Sequence, residues 1–331
     1  MHLFPTLRNY KKENLGKDIL AGLIIMAVSI PISMGYAQIA GLPAVYGLYG
    51  SVLPILFFAV FSTSPQFIFG VDAAPAALVG SALLSMGIES GSEEAMRAVP
   101  VLTLFVALWL FAFSYMKAGK LVNYISAPVM GGFITGICTT IILMQIPKLF
   151  GGSAGVGEFF ELAVHIGESL EKLNLPSFLL GLFALFILLL SKKLIPKFPM
   201  AVLLMAAGAC MTKFLPLKKW GVVTLSAVEP GLMPFALPDI SVIPVREAVT
   251  ISLSVAIVIM AETLLAENRF AQKNGYRIND NQEIFAFAMG NLIAALTGCC
   301  PINGSVSRTA MGEQYQARTQ LTGIVAGISI L

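Results

Sequence analysis

Pro301-Ile302-Asn303-Gly304-Ser305-Val306-Ser307-Arg308-Thr309-Ala310 decides how the rest of the chain is read. The stretch lies between two apolar segments, which places it at membrane depth. It reads as a short extended piece, then a glycine, then the N-terminus of a helix carrying one arginine. A charge at that depth is costly and usually has a functional reason. Irregular backbone is tolerated there only where protein or a watery cavity covers it. The stretch has the form of one half of an anion site, which raises the question of where the other half lies.

Working outward, the 331 residues are 57% hydrophobic and only 12% charged. Soluble domains carry about 25% charged residues, so the chain is a polytopic integral membrane protein in a lipid bilayer. Met1 to Asp18 is polar and basic, with no cleavable signal pattern. Gly323 to Leu331 is apolar to the last residue, and we expect a chain cut off inside a span. Cys138, Cys210, Cys299 and Cys300 lie in or beside apolar segments and are expected to be small packing residues. With only His2 and His165 besides, the residue types for a zinc site, a haem site or a Cys–His nucleophile are not assembled. We expect no metal, no cofactor, no nucleic-acid partner and no enzyme.

Asp18 to Ala40 reads as a first span, interrupted by Pro31, and Val45 to Phe61 as a second. Gln66 to Val71 is short and strand-like. Asp72-Ala73-Ala74-Pro75 then has the form of a helix start, an N-cap with a proline soon after. That helix runs through Ser85 and is roughly 20 Å long at 1.5 Å per residue, too short to cross about 30 Å of hydrocarbon. Ala98 to Met116 and Ala127 to Leu149 are the fourth and fifth spans. Glu158 to Lys172 is polar on one face and is expected to lie at the interface. Ser177 to Leu190 and Met200 to Leu215 follow as sixth and seventh. Leu217 to Arg246 is a longer external loop with a strand-like Val222-Val223-Thr224-Leu225. Ala248 to Ala266, containing Glu262, and Ile284 to Thr297 are the eighth and ninth. The tenth is the opening stretch, with a half-helix over about Gly304 to Gly312, and Thr319 to Leu331 begins an eleventh.

With the N-terminus inside and segments alternating, the inner pieces hold 13 of the 21 lysines and arginines and the outer pieces 7, Arg308 lying within the membrane. This bias places the N-terminus in the cytoplasm.

Segments one to three and eight to ten share one grammar: full span, full span, strand, half-helix. Seven segments separate the copies, so the second enters from the opposite side, as an inverted repeat. The N-termini of the two half-helices then meet. Each presents unpaired backbone N–H groups and roughly half a positive charge. Ala73 and Ala74 at one end, and Ser305, Val306, Ser307 and Arg308 at the other, make a compact substrate site for a small anion. Asp72 reads either as an N-cap satisfied by its own helix or as a titrating group that pairs with Arg308 or carries a proton. Glu262, the other intramembrane acid, is a candidate for ion coupling.

These residues resemble the sulfate permease (SulP) family of anion transporters. Pro31 to Ser51 is similar to the family's first-helix motif, and Gly304-Ser305-Val306-Ser307-Arg308-Thr309-Ala310 to its tenth-segment motif Gly-Ser-Phe-Ser-Arg-Thr-Ala. The resemblance covers the whole chain. It implies an all-α, UraA-like, seven-plus-seven transmembrane inverted repeat, with two short strands leading into the half-helices. On that reading residues 1–331 are an incomplete transmembrane domain: a first repeat over about 18–216, the start of a second over about 247–331, and the last three spans and a STAS domain absent. A core of spans 1–4 and 8–11 would move against a gate of spans 5–7. By position, Ser307 and Arg308 match the family's anion-contacting pair, Tyr36 the aromatic lining the site, and Glu262 the acid of the eighth segment. Three positions depart from the pattern: Ile32 replaces a glutamine, Val71-Asp72 replaces Gly-Pro, and Ala266 replaces the threonine of sodium-coupled members.

The expectation is a secondary active transporter of inorganic anions or small carboxylates. It would be elevator-like, coupled to protons rather than sodium, homodimeric at full length and resident in the cell membrane. The alternatives are an anion channel and a nucleobase-type permease of the same fold; Arg308 argues against the second, which binds neutral substrates.

Overall fold

A computed structural model describes residues 3–8, 10–120, 127–153, 155, 159–195, 198, 200–224 and 233–331. The described residues are mainly helical and fall into two compact units: Met1–Ile134 with Leu232–Leu331, and Thr135–Gly231. Among the described residues, five helical stretches are long and apolar enough to cross a membrane: Lys12–Ile39, Ala44–Phe61, Glu93–Tyr115, Leu175–Leu194 and Val245–Asn274.

In the first unit, α1 (Leu15–Ile39) runs through Pro31 without ending. The expected second span is not continuous. It divides into α2 (Ala44–Tyr49) and α3 (Leu53–Phe61), with a break over residues 50–52. Pro54, in the first turn of α3, has no N–H to give to a preceding turn, so the helix restarts there. Gly50 sits at the break because a Cβ there would lie 2.7 Å from Cγ2 of Val71 and overlap the Cys299 sulfur. Strand β1 (Phe69–Gly70) leads into the short α4 (Ala73–Ser85), followed by α5 (Glu93–Tyr115). Helix α6 (Ala127–Leu149) has the expected bounds.

The second unit holds most of α6 together with α7 (Phe159–Glu171), α8 (Leu175–Leu194) and α9 (Met200–Phe214). Glu158, where the interfacial segment was expected to begin, lies outside the described residues. Asn174 caps α8 by accepting the Ser177 N–H at 2.9 Å, and its amide donates to the Trp220 carbonyl at 3.0 Å. Leu179, Leu182, Phe183, Phe186 and Leu189 of α8 are exposed at helical spacing, an apolar stripe along one side of the helix. The strand expected at residues 222–225 is not formed over its described residues. Val222, Val223 and Thr224 have no regular structure, and Leu225 lies outside the described residues. An unpaired strand has no partner for its ladder, so the β-branched run has nothing to extend.

The chain returns to the first unit through α10 (Val245–Asn274), α11 (Asp280–Leu296), strand β2 (Asn303–Gly304), α12 (Val306–Gln314) and α13 (Leu321–Ile330). Helix α10 is 30 residues long, extending well past Ala266, and closes on Gly275 at φ 72, a left-handed cap suited to glycine. Asp239, before α10, accepts both the N–H and the hydroxyl of Ser241. These bonds, with Arg97 at 2.8 Å, hold its carboxyl below the usual range.

The two strands form an antiparallel pair, with Phe69 opposite Gly304 and Gly70 opposite Asn303. This pairing joins the two broken segments at the centre of the unit. Phe69 stacks between Phe58 of α3 and Phe287 of α11, with ring centroids 4.7 and 5.3 Å away, and all three rings are fully buried. Burying such a ring contributes about 1.5–3 kcal/mol.

Irregular backbone at this depth must find partners inside the protein, and it does. Asn291 donates to the Ile302 carbonyl at 3.1 Å and accepts the Ile302 N–H at 2.9 Å, substituting for a missing strand. The Ser305 N–H reaches the Ile68 carbonyl at 2.8 Å, and the Thr309 hydroxyl accepts the Ile68 N–H at 3.0 Å. The side-chain amide of Gln320 serves the carbonyls of Ser64 and Phe67. Cys299 and Cys300 are buried beside this region, as the packing role expected of them requires, whereas Cys138 and Cys210 are exposed. Among the described residues no group of three or more His, Cys, Asp and Glu could hold a metal ion.

Candidate functional site

The two half-helices start differently. Helix α4 is capped by Asp72, whose backbone is extended and whose carboxylate accepts the Ala73 N–H at 2.7 Å. Helix α12 has Ser305 at its N-cap with an extended backbone but no side-chain cap bond. The Ser305 hydroxyl lies 3.3 Å from that of Ser307 instead. The first amides of α12 are therefore left for another acceptor.

Arg308 is the third residue of α12 and is fully buried. Its side chain reaches the start of the other half-helix: Nη2 donates to the Val71 carbonyl at 2.7 Å and lies 3.7 Å from the Asp72 carboxylate. Nη1 is 3.5 Å from the Ser29 hydroxyl on α1, and Nε has no partner. Gly70 makes the passage possible, since a Cβ there would stand 3.1 Å from Nη1. Arg308 does not snorkel to a surface; it links the two half-helix starts.

Glu262 joins through β2. Its carboxylate accepts the Asn303 side-chain N–H at 2.8 Å, and the Thr263 hydroxyl donates to Asn303 Oδ1 while accepting the Gly304 N–H at 3.2 Å. Glu262 and Asp72 lie within electrostatic reach of each other, and Tyr36, half-buried on α1, within that of Arg308. Ala73 and Ala74 are buried, and Ser305 is only 2% exposed, whereas Val306 and Ser307 are open.

Asp72, Ala73, Ser305, Ser307 and Arg308 thus share one locus, with Glu262 tied to it through Asn303. Ser29, Thr263 and Asn303 were not foreseen from the sequence. Ser29 had a signal: it precedes Tyr36 by two helical turns on α1 and so shares its face. Thr263 and Asn303 had none, because their partners are remote in sequence. Two helix ends and Arg308 supply positive potential, and Asp72 and Glu262 oppose it. An anion meeting Arg308 competes with Asp72 for the same guanidinium.

The sulfate permease family model matches residues 15–331. The chain belongs to the sulfate permease family. Two curated relatives, both named as probable sulfate transporters of Mycobacterium tuberculosis, are 30% identical over 319 residues, covering 96% of this chain and 57% of each relative. A sulfate transporter of Bubalus bubalis is 27% identical over 357 residues, 97% of this chain and 48% of its own length. The chain therefore spans about half the length of the curated relatives it matches. The names that these relatives carry are those of transporters, not enzymes.

Among solved structures, SLC26A9 matches with a TM-score of 0.88 at 22% identity over 98% of this chain and 54% of that one. The transmembrane domain of the cyanobacterial bicarbonate transporter BicA matches at 0.82 and 18% identity, over 97% of this chain and 83% of that one. This member of the family has their fold: an all-α integral membrane protein built on an inverted repeat, with half-helices after short strands. The site resting on that fold sets Asp72 opposite Arg308.

Proposed function

We propose that this protein is a secondary active transporter of inorganic anions or small carboxylates, of the sulfate-permease type, with proton-coupled, elevator-like alternating access. One observation carries the reading: Arg308 is buried between the starts of α4 and α12 and shares its charge with a carboxylate, Asp72, 3.7 Å away. A substrate anion takes the place of Asp72 at the guanidinium. It accepts the open amides of α12 and the hydroxyls of Ser305 and Ser307, with Ala73, Ala74, Val306 and Tyr36 around it. Asp72 gives up its charge by taking a proton, so anion and proton enter together. The relatives' names support sulfate among the candidate anions, and the BicA likeness adds bicarbonate to those worth testing.

The moving core on this reading is α1 to α5 with α10 to α13, and the gate is α6, α8 and α9. The compactness of each set supports the division. The full-length protein would be a homodimer in the cell membrane with its N-terminus in the cytoplasm. The lysine and arginine bias supports that orientation.

The test uses the full-length protein in liposomes, with labelled sulfate, bicarbonate, chloride and a four-carbon dicarboxylate. Inwardly directed proton flow should raise accumulation of at least one anion, and a sodium gradient should not. Asp72→Asn should keep anion exchange while losing at least about tenfold of the proton-driven accumulation, the effect of roughly 1.4 kcal/mol of coupling. Accumulation that ignores the pH gradient in the parent protein sinks the proton coupling.

A further inference from the structure

Away from Arg308, at the junction of α10 and α11, two carboxyls are buried against each other. Glu267 and Glu283 are both fully inaccessible. Glu283 is well supplied: it accepts the Ser62 hydroxyl at 2.8 Å, the N–H and hydroxyl of Thr63, and the Ser64 N–H at 3.1 Å. Glu267 has no such support. Neither of its oxygens receives an N–H or O–H from the protein, and Glu283 lies within hydrogen-bond reach of it.

The charges around the pair do not relieve it. Asp280 and Glu283 of α11 face Glu267, and Tyr276, on the turn after α10, lies within reach of Glu267, Glu283 and Glu313 of α12. Asp280 accepts the side-chain amide of Asn268 at 3.3 Å, and Glu313 is neutralised by Lys273 at 2.6 Å. Among the described residues no lysine or arginine forms an ion pair with Glu267 or Glu283. Two buried acceptors without a donor between them are not a stable arrangement. One proton removes the conflict, as it does for other close carboxyl pairs.

We propose that Glu267 and Glu283 form a buried proton-binding site, separate from Asp72 and Glu262, in which Glu267 carries a proton and donates it to the ionised Glu283. The site fastens three elements: α10 through Glu267, α11 through Glu283, and the Ser62–Ser64 segment that leads from α3 towards β1. Loss of the proton sets two like charges side by side in this joint. Tyr276 gives the site its connection to the surface, since its ring is half-buried and its hydroxyl lies 3.4 Å from that of Ser64. The same α10 carries Glu262, so the state of this joint bears on the helix that supplies the substrate site's second acid.

The experiment measures thermal unfolding of the full-length protein in nanodiscs from neutral to alkaline pH. A proton held by the folded pair and absent from the unfolded chain makes stability fall as pH rises. The parent should show that decline. Glu267→Gln, whose amide donates to Glu283 without titrating, should flatten it by about twofold or more. A decline equally steep in Glu267→Gln overturns the proposal. Infrared spectroscopy supplies a second readout if that variant folds poorly. In an Asp72→Asn/Glu262→Gln background, a protonated-carboxyl band sensitive to deuterium should be present, and adding Glu267→Gln should abolish it. No such band in the background protein, or one that survives Glu267→Gln, overturns the proposal.

Discussion

Arg308→Ala is expected to weaken anion binding by about ten- to hundredfold and to destabilise the protein. The affinity loss follows from removing a charge-assisted bond worth about 1.5–3 kcal/mol. The stability loss has a different source. Arg308 is fully buried, and its removal leaves the Val71 carbonyl without its donor and the Asp72 carboxylate, one-fifth exposed, without its cation. Breaking a buried pair in this way costs about 3–5 kcal/mol, less where water reaches one partner. The two effects are separable. Asp72→Asn combined with Arg308→Ala removes the orphaned charge, so the double variant should melt closer to the parent while its anion affinity stays low. Isothermal titration with sulfate, bicarbonate, chloride and a dicarboxylate, beside thermal unfolding of each variant, reads both. Wild-type affinity for every anion in Arg308→Ala refutes the assignment of the site.

Gly304→Ala should have a large, purely structural effect. Gly304 pairs with Phe69, and an added Cβ would overlap the Phe67 ring and stand 2.5 Å from Cγ2 of Thr263, both fully buried. Neither neighbour has room to give: Phe67 packs edge-on against Phe270, and Thr263 holds Asn303 and the Gly304 N–H. Overpacking of this kind costs about 1–3 kcal/mol and sometimes more. Here it also pushes apart the strand pair that positions both half-helices. Folded yield and melting temperature should both drop. Gly16→Ala, where an added Cβ meets nothing within 4 Å, is the matched control. A Gly304→Ala protein as stable as that control would mean that the β1–β2 contact is looser than described.

Much of this fold is legible in the sequence because its signals are local. Asp72 followed by Pro75 marks the start of α4, and the apolar run after it is too short to span. Gly304 and the polar residues after it mark α12 in the same way. The break in the second span was also local, signalled by Pro54, but the surrounding hydrophobic residues masked it, since hydropathy does not distinguish one helix from two. The strand expected after Val222 shows the opposite error: β-branched residues favour a strand only where a partner exists.

The site was half legible. Arg308, Asp72 and Glu262 stand out because charge at membrane depth is rare. What Arg308 touches does not stand out, because Ser29, Gly70 and Val71 lie more than 200 positions away in the chain. Asn291 reads as an ordinary polar residue within a helix until Ile302 is seen to need both a donor and an acceptor. The Glu267–Glu283 pair is illegible for the same reason, as each acid sits near a helix end where charge is unremarkable.

The central claim is that the anion binds between the starts of α4 and α12. Val306, exposed at the first turn of α12, is the place to test it. With the exposed Cys138 and Cys210 replaced by serine, Val306→Cys in the full-length protein gives a single accessible thiol among the described residues. Its rate of reaction with a small neutral thiol reagent is measured without anion and with each anion that the protein takes up. A transported anion should slow the modification severalfold, and adding Arg308→Ala should remove this protection. A rate unchanged by a saturating, transported anion would contradict it.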